Sequence, residues 1–148
     1  MKLSSRGRYG VAALIVIAQN SSSSEVTAVV SIAEKLGISK IYLEQIFSLL
    51  KRSELVNAVK GSQGGYRLTR PASDITALDM LMALEHALFE QNEASTLEGA
   101  PEIEQVMHEH VFSALDHAIS DVLQKVTLAE LAAQVDALTS DGSYMFYI

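Results

Sequence analysis

The chain has 148 residues, 49% of them hydrophobic and 20% charged, with no cysteine. That is enough for one domain with a substantial core, and it excludes disulfides, thiolate-held metals and clusters, nucleophilic thiols and thiol redox switches. The net charge of −7 is unevenly placed: residues 1–70 hold 10 of the 11 Lys and Arg against four acids, a net of +6, whereas residues 71–148 hold Lys125 alone against 14 acids, a net of −13.

A basic half points to a polyanion partner, with chance clustering on a solvated surface as the alternative. The first predicted element is a helix in which Val11, Leu14, Ile15 and Ala18 share one face. Val16 and Ile17 make it apolar on other sides too, which places it at the centre of the core. This apolar run, residues 11–18, is far below the roughly 18 to 20 residues that span a bilayer, so a cytoplasmic protein without a membrane segment is expected. Arg6, Arg8 and Tyr9 precede this helix, whose positive N-terminal end would favour phosphate.

Asn20 and Ser21, Ser22, Ser23 and Ser24 break the pattern and predict a surface loop. A second helix fits residues 28–36, with Thr27 as N-cap and Val29, Ile32, Ala33 and Leu36 as its buried face. Gly37 ends it, and Ser39 caps a third helix over about residues 40–52. In that third helix Leu43, Ile46, Phe47 and Leu50 turn inward, and Lys40, Glu44, Ser48, Lys51 and Arg52 turn outward. The spacing of Ala33, Gly37 and Leu43 suits a helix-turn-helix: a small residue for close approach, a glycine for the turn, a leucine to lock the second helix.

Residues 55–60 and 66–69 read as short strands around Gly61-Ser62-Gln63-Gly64-Gly65, a wing flanked by Lys60 and Arg67. Its glycines suit either backbone approach to a phosphate or an ordinary flexible hairpin. The loop lacks the Gly-Lys-Ser/Thr ending of a nucleotide phosphate loop. In a major groove, Ser39, Lys40 and Tyr42 would meet phosphates or base edges, while Glu44 and Gln45 could read cytosine and adenine. Lys51 and Arg52 are compatible both with phosphate contact and with plain solvation at a helix C-terminus. The DNA-binding set is therefore Arg6, Arg8, Tyr9, Ser39, Lys40, Tyr42, Glu44, Gln45, Lys60, Ser62, Gln63, Gly64 and Gly65.

In the acidic half, Thr76 and Asp79 form a capping-box pattern opening a helix to about His86. Residues 87–101 then lose periodicity and predict a mobile connection. A long helix starts near Glu102, where Ile103, Met107, Val111, Ala114, Ala118 and Val122 trace an apolar stripe to Val126 over roughly 36 Å. Packing that stripe against a symmetry mate covers it, so a homodimer is expected. Thr127 and Glu130 form a second capping box opening a short final helix with Leu128, Leu131, Ala132, Val135 and Leu138 inward. After the polar turn Asp141-Gly142-Ser143 come Tyr144, Met145, Phe146, Tyr147 and Ile148. This tail either folds over the chain or its mate, or inserts into a partner's cleft with its carboxylate held by amides.

The histidines do not make a metal site: His108 and His110 lie about 200° apart on a helix, and His110 and His117 are roughly 10 Å apart. No triad or paired-carboxylate arrangement can be assembled, so no enzyme, metal or cofactor is expected. The organisation predicted is a winged helix-turn-helix over residues 1–75 and a connecting helix and loop over 76–101. A dimerisation helix and short final helix follow over 102–140, and a hydrophobic tail over 141–148. The fold class is mainly α, with a two-stranded wing and a long C-terminal dimerisation helix.

The opening MKLSSRGRYG, the stretch ISKIYLEQI at residues 38–46, the wing VKGSQGGY at 59–66 and VTLAEL at 126–131 together resemble the bacterial Rrf2 regulators over nearly the whole chain. The resemblance implies a homodimeric winged helix-turn-helix repressor of double-stranded DNA. Cluster-carrying members supply three cysteines from the region matching residues 87–101, which here has none; their histidine ligand corresponds to Glu109 and their wing arginine to Lys60. The tail from Tyr144 to Ile148 is similar to that of a cluster-free branch governing cysteine metabolism together with cysteine synthase (O-acetylserine thiol-lyase). That similarity implies cysteine synthase as partner, with O-acetylserine acting through the enzyme. A cluster-free regulator sensing a small molecule directly is the first alternative, and a protein–protein adaptor that does not bind DNA the second.

Overall fold

Helix α1 (Ser5–Asn20) is the element against which the others assemble: α2 (Val29–Leu36), α3 (Lys40–Arg52), α4 (Ala77–Leu84) and α7 (Leu128–Met145) all pack on it. The computed structural model describes residues 2–20, 25–89 and 98–145, with side chains through residue 141. The serine loop at 21–24, residues 90–97 of the connection, and Phe146, Tyr147 and Ile148 of the tail lie outside the described residues. Because helices arrive from several sides, α1 buries Ala13, Leu14, Val16 and Ile17, while the expected stripe of Val11, Ile15 and Ala18 is only partly covered.

The helix starts earlier than its periodicity suggests. The Ser4 hydroxyl accepts from the Gly7 amide at 3.0 Å and caps it, so Arg6, Arg8 and Tyr9 lie inside the first turns rather than before them. Gly7 and Gly10 hide that start because glycine is a poor helix former, yet close packing demands them. A Cβ on Gly10 would stand 2.5 Å from Leu84 Cδ1, and one on Gly7 2.1 Å from Glu85 Oε1.

The helix-turn-helix forms as its spacing predicts. Gly37 takes the left-handed conformation (φ 66°, ψ 34°), and the Ile38 amide donates to the Ala33 carbonyl at 3.1 Å, closing α2. Ser39 caps α3 by accepting from the Tyr42 amide at 3.1 Å. Leu43, Ile46, Phe47 and Leu50 are fully buried, each stabilising the fold by about 1.5–3 kcal/mol. One predicted cap fails: α2 begins at Val29 behind Ala28, and Thr27 does not cap it. Thr27 instead pairs with Tyr66 in a short antiparallel bridge, its amide and carbonyl bonded to Tyr66 at 2.8 and 2.9 Å, which leaves its side chain buried with Oγ1 unpartnered.

Strands β1 (Val56–Val59) and β2 (Gly65–Leu68) form the antiparallel wing, with Val56 opposite Leu68 and Val59 opposite Gly65. A 3-10 turn at Ala72–Asp74 leads to α4, which opens with the expected capping box between Thr76 and Asp79. Helix α4 ends at Leu84 rather than near His86, because Glu85 is extended and the Leu84 carbonyl accepts from Arg6 Nε at 3.1 Å. Within the acidic half, the start of α4 is tied to the start of α7, where Ala77 donates to the Val126 carbonyl and Leu128 to the Ile75 carbonyl, both at 2.8 Å. Ile75, Met80, Leu84 and Leu128 of the acidic half share one core with Ala13, Leu14 and Ile17 of the basic half.

The long helix forms as a rod in three parts, α5 (Pro101–Met107), a π turn over His108–Phe112, and α6 (Ser113–Gln124). The π turn carries extra residues per turn, so the apolar face shifts in register from the regular spacing expected. Ile103, Val106, Val111, Phe112, Leu115 and Val122 all stand exposed along the rod. Helix α7 opens with the predicted capping box between Thr127 and Glu130. It then runs to Met145, through the expected turn at Asp141-Gly142-Ser143. A glycine costs a helix interior about 1 kcal/mol but removes no hydrogen bond, so the turn residues do not stop it. No described helix is long and apolar enough to cross a membrane.

Thr27→Val should raise stability by about 1 kcal/mol, since it removes a buried, unpartnered hydroxyl from an extended segment while nearly keeping its shape. Urea midpoints of the two proteins check it.

Candidate nucleic-acid interface

The first turns of α1 meet the outward face of α3 at the surface, and the wing is seated on the inner side of α3. Tyr9 of α1 and Tyr42 of α3 touch edge to face, their ring centroids 6.1 Å apart, which couples the two helices at the surface. Ser4, Ser5, Arg6, Tyr42 and Gln45 line a shallow depression between them over Ile46 and Leu49, its surface mostly apolar. Arg8 is exposed beside Tyr9.

Along α3, Lys40, Glu44 and Gln45 are exposed as expected, with Lys40 Nζ 3.7 Å from Glu44 Oε1. Such a surface pair is weak, so either group can exchange its partner for a base or phosphate. Ile41 was not foreseen: it is 71% exposed on the same face. The signal was present in the sequence, because an isoleucine outside the buried 43-46-47-50 pattern has no core to enter. An exposed apolar side chain at the start of such a helix is suited to a thymine methyl group. Ser39 has a structural duty as the α3 cap, although its hydroxyl proton is still available to donate.

The wing is held to the helix-turn-helix by Tyr66, whose ring stacks on Phe47 with centroids 4.0 Å apart and planes 5° from parallel. Burial, and then the Glu44 carboxylate, push the Tyr66 phenol above its ordinary value of 10.0. Lys60, Gly61, Ser62 and Gln63 are exposed at the wing tip. Gly64 and Gly65 are half-buried and serve packing instead: a Cβ on Gly65 would lie 2.1 Å from the Thr27 carbonyl oxygen. Of the remaining basic residues, Arg70 is committed inside the chain, 3.1 Å from Asp79 Oδ2 and donating to the Asp74 carbonyl at 3.0 Å.

The N-terminal end of α1 is not open to phosphate as expected. The Glu85 carboxylate occupies it, accepting from the Ser4 amide at 2.9 Å and the Ser4 hydroxyl at 2.6 Å, because an acidic side chain is stabilised at the positive end of a helix. Arg6 has one guanidinium nitrogen on Leu84, leaving its outer nitrogens for a polyanion. His86, His108, His110 and His117 are exposed, and among the described residues no three His, Asp or Glu side chains converge as metal ligands. Tyr144 and Met145 lie in the last turn of α7, with side chains outside the description.

A helix-turn-helix with a glycine-tipped wing and a cation-bearing outer face defines a winged-helix transcription regulator. Residues 3–134 match the family model described as Rrf2, iron-dependent transcriptional regulator. The chain belongs to the Rrf2 family. It is 35% identical over 138 residues to the HTH-type transcriptional regulator IscR of Serratia proteamaculans, covering 93% of this chain and 83% of that protein. It is 34% identical to the HTH-type transcriptional regulator CymR of Bacillus subtilis over the full length of both. The fold is similar to the structure of CymR, the global cysteine regulator of B. subtilis, with a TM-score of 0.73 at 30% identity over 90% of this chain and 98% of that one. It is also similar to T. potens IscR, at a TM-score of 0.69 and 32% identity over 91% and 88% of the two chains. The homologues are transcriptional regulators and not enzymes. With no cysteine anywhere in the sequence, the residues do not fit a thiolate-held cluster.

Because its phenol is raised in the folded state, Tyr66 contributes stability that is complete below its unfolded value of 10.0 and lost as pH climbs through the folded value. Tyr66→Phe should therefore lose less stability than the unaltered protein between about pH 9 and pH 11, as read from urea midpoints at the two pH values.

Proposed function

We propose that the chain is a dimeric, DNA-binding repressor of cysteine and sulfur metabolism genes. The observations that carry the DNA reading are the surface contact of α1 with α3 through Tyr9 and Tyr42, with Arg6 and Gln45 lining the depression between them, and the exposure of Arg8, Lys40 and the Lys60–Gln63 wing tip, while the acidic residues concentrate in the other half of the chain. In this reading α3 enters the major groove, with Gln45 and Glu44 on base edges and Ile41 against a thymine methyl. Ser39, Lys40, Tyr42, Arg8 and the wing tip grip phosphates on either side.

The dimer is supported by the rod of α5 and α6, along which Ile103, Val106, Val111 and Phe112 stand exposed among the described residues. Such a face is stabilised by a second copy, which would also set the spacing of two α3 helices on a palindrome. Cysteine metabolism as the target is supported by the full-length likeness to CymR and by the absence of cluster ligands. The proposed partner is cysteine synthase, bound through Tyr144, Met145, Phe146, Tyr147 and Ile148.

A second reading, direct sensing of a small molecule, is favoured by an apolar groove of about 340 Å³ lined by Leu3, Leu81, Leu88, Leu115, Ile119 and Leu123. A metabolite retained in native mass spectrometry, with no enzyme bound, would select it over the partner protein.

Affinity for a palindromic promoter duplex should fall steeply with salt, with a log–log slope of about −5 to −9 for roughly 6 to 10 neutralised phosphates per dimer. Lys60→Ala should weaken all duplexes alike and flatten that slope by about 1, whereas Gln45→Ala should relax preference at one base position, costing about 1–3 kcal/mol on the best site. A response insensitive to salt would remove the DNA reading. Deleting residues 144–148 should abolish retention of cysteine synthase in a pull-down while sedimentation still shows a dimer; retention by the shortened chain would make the tail structural.

A further inference from the structure

The contact between the end of α4 and the start of α1 joins residues 81 positions apart and has two parts of opposite polarity. Glu85, extended just past α4 (φ −112°, ψ 95°), places Oε1 on the Ser4 amide at 2.9 Å and on the Ser4 hydroxyl at 2.6 Å. Arg6 returns a bond to the Leu84 carbonyl at 3.1 Å. The positive end of α1 thus meets a carboxylate and the negative end of α4 meets a guanidinium, so both helix ends are stabilised by one reciprocal clamp. Gly7 completes it, because only a residue without a Cβ leaves room for Oε1.

We infer that Glu85 is a positioning residue for DNA binding: it holds the first turn of α1, and with it Arg6, Arg8 and Tyr9, in the pose that the α3 face requires. The inference rests on the DNA reading above. Glu85 itself makes no contact with a base or phosphate in that reading, since its carboxylate is turned to Ser4. It acts through the turn it clamps. That turn contains Gly7 and, one turn on, Gly10, two residues that favour fraying, so an external anchor decides whether it stays helical. Tyr9 transmits the pose to Tyr42 through their edge-to-face contact.

The clamp also links the interface to the acidic half. Leu3, next to Ser4, and Leu88, whose amide bonds back to the Glu85 carbonyl at 3.4 Å, line the apolar groove against Leu115 and Ile119 of α6.

The test uses the full-length protein and a duplex selected from a random pool on the unaltered chain. Glu85→Ala should weaken binding about tenfold. Gly7→Ala, which leaves Glu85 in place but puts a methyl group where Oε1 sits, should weaken it at least as much. Glu85→Gln, whose amide oxygen can still accept both Ser4 bonds, should bind within about twofold of the unaltered protein. Melting temperature and sedimentation of each variant separate positioning from misfolding. The inference is overturned if Glu85→Ala binds within twofold, if Glu85→Gln is as weak as Glu85→Ala, or if affinity simply follows melting temperature across the three. Failure of the unaltered protein to select any duplex would instead sink the DNA reading itself.

Discussion

Burial of α1 against both halves of the chain is the constraint on which the rest depends. Its Ala13, Leu14 and Ile17 are wholly covered, by α2 and α3 on one side and α4 and α7 on the other. Removing that shared core would separate two sets of helices that are each too short to bury their own apolar faces. One core also means that the positive and negative halves, so distinct in charge, are mechanically a single body. Their opposite charges describe its surface and not its architecture.

Much of the interface is organised by neutral contacts that leave the cations loose. Tyr66 stacks on Phe47 and pairs with Thr27, seating the wing; Tyr9 leans on Tyr42, joining α1 to α3; Ser39 caps α3. The side chains of Arg8 and Lys60 carry no described bond, and Lys40 has only a weak exposed pair with Glu44. A packed frame with exposed charged tips suits a polyanion, because the frame sets register while the tips reach phosphates. Arg70, whose guanidinium is held by the Asp79 carboxylate and the Asp74 backbone carbonyl, shows that a basic residue in this half need not belong to the face.

Relatives such as IscR share the fold at 35% identity, yet this chain has no thiolate to offer a cluster. Whatever reaches the interface from the acidic half must then travel by packing, partner binding or hydrogen bonds. The groove beside α6 and the Ser4–Glu85 clamp are neighbours, since Leu3 lines the groove next to Ser4.

Periodicity and punctuation made most of the elements legible in the sequence. Leu43, Ile46, Phe47 and Leu50 announced α3, Gly37 and Ser39 its turn and cap, the glycine cluster the wing, and Thr76 and Thr127 two capping boxes. These are local properties, written in which residue can adopt which backbone. The start of α1 and the end of α4 were not legible, because Gly7 and Gly10 look like helix breakers until Leu84 and Glu85 are seen to fill the space their missing side chains leave. Thr27 looked like a cap for the same reason: nothing nearby in the chain shows that Tyr66 will claim its backbone. Composition and short-range pattern therefore determined the elements, the charged face and the family's motifs. Only tertiary structure decided how the halves share a core and which residues hold the face in place, since those depend on contacts between residues as far apart as Ser4 and Glu85, which no local preference encodes.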